Sequence, residues 1–461
     1  MKVTYTLNCL NSAQPECAGW RNPGKRTAPL ALLLSLIFLG PSLSTVLAQG
    51  SLTPPGPPSP TMKSLDQIEP RTPISSLPYT ITNAGSYYLT TNLTGVSGTN
   101  GITIASDDVT IDLRGFALRG GSGSLDGILV PTNAPHLNLT VQNGTIADWG
   151  GTGVNCDGLS DGRFLRLRVI NNSGDGFRPG GSGEIAHCTA DSNGGDGFGG
   201  TDFECTYNTC VSTYNNGAGF YTFERCTLIN CTAHENGGDG FFPYFDCILE
   251  HCNASANVGN GINLPFSGNL ITHCMAGDNG LTGIIAGDSC TVRGCTVAYN
   301  GGDGLDADTG STIESCTAYT NAAAGIAVIA DSKVKDCTVT GNLIGISATN
   351  DCVITGCVVN NNLQNGIVVN QSCRISENSC QANGGGQTTD GGILCTGSFN
   401  RIDGNHLTEN SRNGLYLGTS GNTVIRNSAK SNNTNYHTGS GNDVGPIGSA
   451  ASSSSPWANF Q

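Results

Sequence analysis

Basic residues are scarce in this sequence of 461 residues: 21 Lys and Arg stand against 35 Asp and Glu, a net charge of −14. An acidic surface repels polyanions unless a cation mediates, so nucleic acid is not the expected partner. Charged residues of both signs make up only 12% of the chain and aromatics 6%. Strong helix formers give way to Gly, Asn, Ser and Thr, with 66 glycines, which argues against long helices. No C-x-x-C pair occurs, which removes the usual spacing of a cysteine zinc site. Beyond the N-terminal 50 residues no apolar run is long enough to span a membrane.

What is present begins with an address. Arg21, Lys25 and Arg26 precede the apolar run LALLLSLIFLG, and VLAQG supplies small residues for cleavage after Ala48. That order predicts a signal peptide over 1–48 and an exported protein: secreted, periplasmic or on the cell surface. Its removal takes four basic residues and one acidic residue, leaving 17 against 34, or −17. A Pro-rich linker follows over 49–72. Residues 73–160 are expected to form an N-terminal cap with the first irregular coils, 161–443 the regular coils, and 444–461 a Ser-rich C-terminal tail.

The regular part returns to itself about every 21 residues. CTLINCTAHENGGDGFFPYFD at 226–246 is followed by CILEHCNASANVGNGINL from Cys247. A fixed period of this length signals stacked repeats, each unable to bury its apolar face alone. Aligned, the repeats give columns. Leu228, Leu249, Ile271 and Val292 begin one. Phe177, Phe198, Phe220, Phe241 and Ile262 begin a second, almost always behind a glycine. Twelve asparagines from Asn172 to Asn410 form a third. Each repeat carries three strand-sized pieces with period-2 alternation. Cys226 and Leu228 share a face, so Cys231 turns inward only if the chain bends before it. Three bends per repeat make a coil, and stacked coils pair through parallel sheets. Stacked asparagines can then hydrogen-bond along their column as a ladder. The glycines are expected at bends that need positive φ.

Eighteen cysteines follow residue 48. Nine fall in one column, from Cys188 to Cys357, and six in another, from Cys205 to Cys373, with Asn269, Ser311 and Ser332 filling gaps. Parallel side chains on stacked coils are poorly aimed for disulfides. Buried thiols packing as small hydrophobes are expected, with a few disulfides as the alternative.

The NGGDGF turns at 193 and 236, and NGGDGL at 300, match the Asn-turn-Gly-Ile pattern of the parallel β-helix repeat family. The chain resembles that family, whose members have the pectin-lyase-like fold, over residues 77–440. The opening LPYTI…GSYYLT and the ending VGPIG…PWANF also resemble a subgroup of exported bacterial β-helix proteins of unassigned function. The resemblance implies an all-β, single-stranded right-handed parallel β-helix of about 21-residue coils; the handedness comes from the resemblance alone. It also implies that any site lies on the outer face of one strand per coil.

Taking that strand to follow the DG turn, its outward positions include Arg178, Thr201, Tyr221, Phe223, Phe242, Tyr244, Asn263, Asp306 and Asp308. Four of these are aromatic, on two adjacent coils, and form a platform on which sugar rings could stack; a covering loop or a subunit contact is the structural alternative. Arg178 joins them as a binding candidate. Asp306 and Asp308, with Asp288 and Asp331 on flanking coils, are candidates for catalytic carboxylates. Asp288, Asp306 and Asp308 are also candidates for Ca2+; a solvated acidic edge explains the cluster as well. The NGGDG aspartates are explained as turn residues. His251 and His273 should stack on adjacent coils without a third ligand for zinc. The polygalacturonase motifs Asn-Thr-Asp, Gly-His-Gly and Arg-Ile-Lys, and the Asp-Pro-His-Asp of alginate epimerases, are missing. Three readings therefore stand: a protein that binds a polysaccharide or other glycan; a divergent polysaccharide lyase, hydrolase or epimerase; and a structural or adhesive surface rod.

Overall fold

The chain bends by placing ordinary residues in the left-handed region. In the coil that starts at Cys226, Arg225, Asn230 and Glu235 have φ of 54°, 53° and 52°. Each sits one residue before an inward side chain: Cys226, Cys231 and Asn236. The left-handed residue breaks the period-2 alternation, so Leu228 and Cys231 face the same interior. An L residue there costs about 1–2 kcal/mol, which stacking must offset at every corner.

The computed structural model describes residues 69–200 and 203–461. The expected signal peptide, most of the linker and Thr201 lie outside the described residues. The described chain is an all-β right-handed parallel solenoid of about 17 turns, with no helix among the described residues. One coil holds the strands Thr227–Ile229, Thr232–His234 and Phe241–Pro243. The next coil continues each in parallel register: Leu228 beside Leu249, Ala233 beside Ala254, Phe241 beside Ile262. The first two strands of each coil belong to one large sheet. The third strands form a separate face of five and then eleven strands, joined by the bridges from Phe177 to Phe198 to Phe220.

Inside, the columns read from the sequence are buried. Phe177, Phe198, Phe220 and Phe241 stack at 4.8, 4.7 and 4.9 Å between centroids, within 9° of parallel. That spacing is the separation of paired strands, about 4.8 Å. Asn236 shows why the ladder holds. Its Nδ2 donates to Asn257 Oδ1 at 3.0 Å and to Ser212 O at 3.1 Å. Its backbone N–H also donates to Asn257 Oδ1, at 3.1 Å. Its Oδ1 accepts from the Asn215 N–H and Nδ2, so both amide donors and the acceptor oxygen are satisfied away from water. The ladder begins where Trp149 N–H donates to Asn172 and runs to Asn432.

The other two corners use the same plan with different atoms. They hold fifteen of the eighteen described cysteines, and all eighteen are buried thiols. Cys252 donates through sulfur to Leu228 O at 3.3 Å, and its N–H meets Cys274 Sγ at 3.4 Å. Burial pushes Cys188 up to about 12, so it stays a neutral, inert thiol. Toward the C-terminus asparagine takes over. The nine-cysteine column continues as Asn378, Asn405, Asn427 and Asn459, and the six-cysteine column as Asn400, Asn422 and Asn442.

The glycines before the Phe/Ile column have another purpose than the expected positive φ. A Cβ on Gly240 would lie 2.5 Å from Gly261 O and 2.7 Å from Asn257 Nδ2. Close approach of stacked coils excludes a side chain there. Near the C-terminal end one coil is longer: Asn383 and Asn410 are 27 residues apart, yet their amides meet at 3.0 Å. The extra residues leave through a turn in which Asp390 Oδ2 accepts from the N–H of Gly385, Gly386 and Gln387. The tail is not loose: Asn459 is buried and ends the ladder from Asn427.

Candidate functional aromatic face

The third strand of each coil turns alternate residues outward. In Phe220–Thr222 and Phe241–Pro243 the middle residue faces out while its neighbours are buried. Register pairs Tyr221 with Phe242. Their rings stack at 5.4 Å, 6° from parallel. Phe223 and Tyr244 follow on the loops and complete the predicted platform. Tyr244 meets Phe242 edge-on at 5.6 Å and Phe223 at 4.8 Å. The phenol oxygens of Tyr221 and Tyr244 are 2.8 Å apart. This hydrogen bond, with burial and the nearby Asp196 carboxylate, pushes the Tyr221 phenol up to about 12.

The face is larger than the sequence reading. Phe245 and Phe266 join it: Tyr244 stacks on Phe266 at 4.5 Å, and Phe245 lies 4.6 Å from Phe266. Six rings over three coils form one continuous cluster. All are partly open to solvent. Strict alternation missed Phe245 and Phe266 because both lie in the loops after the strands. The signal that could have found them is the run PYF and the dipeptide PF at the same place in successive coils.

Arg178 lies two coils before Tyr221 on the same outward column, through Phe177, Phe198 and Phe220. Its guanidinium is already engaged. It contacts Asp157 Oδ2 at 2.6 Å and Asp175 Oδ2 at 3.2 Å. Beyond the rings, Ile262 is in register with Phe241, so Asn263 stands next to Phe242 on the outer side. Asn263 donates to Asp239 Oδ2 at 2.8 Å. The turn aspartates have the expected structural work: Asp239 Oδ1 accepts from Asn260 N–H, and Asp303 Oδ1 from Ala324 N–H, both at 2.6 Å.

Asp306 faces outward on Leu305–Ala307, three coils past Phe242. Burial, then the charges of Asp303 and Asp308, raise its carboxyl above the ordinary value. Asp308 is raised by burial and by Asp288. These carboxylates therefore repel one another. The Ca2+ reading of Asp288, Asp306 and Asp308 finds no matching geometry: among the described residues no three His, Cys, Asp or Glu side chains converge to hold a metal. His251 and His273 do stack, at 5.1 Å.

A family model described as the right-handed beta helix region matches residues 217–350 and 287–391. No curated protein matches the chain by sequence. Among solved structures, the A-module of the mannuronan C-5 epimerase AlgE4 of Azotobacter vinelandii is 19% identical, covering 75% of this chain and 86% of its own, with a TM-score of 0.29. The periplasmic alginate epimerase AlgG is 12% identical, covering 71% and 75%, at 0.33. Pectate lyase Pel9A is 13% identical, covering 72% and 71%, at 0.21. The coil geometry and the asparagine ladder make this chain a right-handed parallel β-helix, and over residues 217–391 it is similar to the family model of that description.

Proposed function

We propose that this protein is an exported carbohydrate-binding β-helix that holds a glycan on the face made by Tyr221, Phe223, Phe242, Tyr244, Phe245 and Phe266. The observation that carries the reading is the continuous six-ring cluster, partly open to solvent, over three successive coils. A contiguous apolar patch on a protein surface marks an interaction site. The apolar faces of sugar rings stack on aromatic rings, and the flanking Asn263 and Asp239 offer hydrogen bonds to hydroxyls. The test is a binding panel of soluble polysaccharides with the double variant Tyr221→Ala/Phe242→Ala. Each aromatic contact is worth about 0.5–1.5 kcal/mol beyond area burial, so affinity should fall by about ten- to a hundredfold while the variant still folds, with a smaller loss of stability than Phe241→Ala. Unchanged binding by a folded double variant would sink the reading.

A second reading, a divergent polysaccharide lyase, hydrolase or epimerase, draws on Asp306 and Asp308. Their raised carboxyls favour the protonated form that a general acid needs. Its check is the appearance of new reducing or unsaturated ends, and their loss in Asp306→Asn.

A further inference from the structure

We infer that the aromatic face selects a glycan bearing ammonium groups, an amino-sugar polymer, over glycans bearing carboxylates or none. The inference rests on the carbohydrate reading and adds the charge of the ligand. Two independent features point the same way.

The first is the charge along the face. Among the described third strands Arg178 is the only Lys or Arg, and two carboxylates already neutralise it. On the other side of the balance, Asp196 lies close enough to raise the Tyr221 phenol. Asp239 holds Asn263 beside Phe242. Asp306 and Asp308 follow, with Asp288 and Asp303 near enough to raise them. At about 4.8 Å per coil, Asp306 stands about 14 Å from Phe242, within the span of a short oligosaccharide lying along the solenoid. A polyanion on the rings would meet these carboxylates, while Arg178 and Arg225, which follows Phe223 by two residues, are each already paired with two carboxylates. A polycation would meet a partner at either end of the platform.

The second is the rings themselves. An aromatic face carries negative quadrupole density and attracts cations. The Tyr221–Phe242 stack and the tilted Phe223, Tyr244 and Phe266 present several such faces and edges together. An ammonium group on a sugar stacked there gains from the same rings that hold its apolar face.

The experiment is calorimetric titration of the mature protein with three hexamers: glucosamine, glucose and galacturonic acid. It is run at mildly acidic pH, at low and at physiological salt. The glucosamine hexamer should bind more tightly than the glucose hexamer, and salt should weaken it by about fivefold, the scale of an exposed ion pair. Glucose binding should ignore salt. In Asp306→Asn/Asp308→Asn the salt dependence for glucosamine should shrink while glucose affinity stays fixed, and that fixed affinity also reports that the variant is folded. Should the variant not fold, the salt response of the unaltered protein decides alone. Equal affinity for glucosamine and glucose, or tighter binding of galacturonate, overturns the charge inference and leaves carbohydrate binding standing. No binding of any hexamer or of the polysaccharide panel removes both.

Discussion

Phe220 and Phe241 stack 4.9 Å apart on the inner side of the strands whose outer side carries Tyr221 and Phe242, stacked at 5.4 Å. The two clusters share backbone and differ in what constrains them. Inside, four phenylalanines keep within 9° of parallel, because each fills the same slot one coil apart. From Ile262 to Leu415 isoleucine or leucine occupies that slot and stays buried. The interior thus needs volume, not aromaticity. Outside, ring angles range from 6° to 72°. The outward column leaves aromatics within one coil, through Asn263, Ile285 and Asp306. Aromaticity there is concentrated at one place, with Tyr416 stacked on His437 as a smaller second occurrence near the C-terminal end.

The sharpest break of that comparison is between neighbours. Phe241→Ala should lower stability by about 3–5 kcal/mol in denaturant melts. Phe242→Ala, one residue on, should cost well under half of that. Equal losses would mean that the outer rings are simply more core. The corners give the next contrast. Asn236→Ala removes the side-chain donor to Ser212 O and the acceptor of the Asn215 backbone N–H and side-chain amide, and should cost about 1–3 kcal/mol. Asn253→Ala, on an outward position of the next coil, should stay within about 0.5 kcal/mol. Should both asparagines prove equally dispensable, the ladder has no energetic weight.

A smaller effect separates the two uses of tyrosine. Tyr221→Phe removes only the hydroxyl contact with Tyr244. It should leave stability within about 1 kcal/mol and remove from the ultraviolet titration the one phenol, Tyr221, that is pushed up to about 12. The smallest effect concerns Asp306. Its folded carboxyl binds a proton more readily than the unfolded one, so the stability it permits is full at low pH and declines as pH rises through its raised folded value. Asp306→Asn should therefore raise the melting temperature slightly at neutral pH. The gain should vanish as pH falls through the ordinary carboxylate range. A gain that grows toward acid would place Asp306 in an attractive field.

Much of this was legible in the sequence because a coil writes the same instruction every 21 residues. Leu228, Phe241 and Asn236 each had many copies in register, and every copy is buried. The platform was legible for Tyr221 and Phe242, where alternation within a strand governs direction. It was not legible for Phe245 and Phe266, because direction in the loops is set by the left-handed corner and the chain's exit. Register failed elsewhere for a different reason. The 27-residue step between Asn383 and Asn410 hid Ile393 from the Phe/Ile column. It also hid the change from thiol to amide at Asn400, although Asn269 had already made the same exchange in that column. The corner asks for a small inward acceptor, and a cysteine column does not announce that asparagine serves equally well.

The long coil has a practical meaning. Its additional residues between Asn383 and Gly392 leave the amide contact across the step at 3.0 Å, the same length as in coils without them. The core therefore does not register how much chain passes through that turn. Closure entropy rises only slowly with loop length, by about 0.6 kcal/mol per doubling. The segment around Gly386–Thr388 is thus a port: an epitope, a fluorophore-bearing peptide or a small folded domain with adjacent termini can be spliced there and displayed from the side of the solenoid while the stack beneath it remains closed.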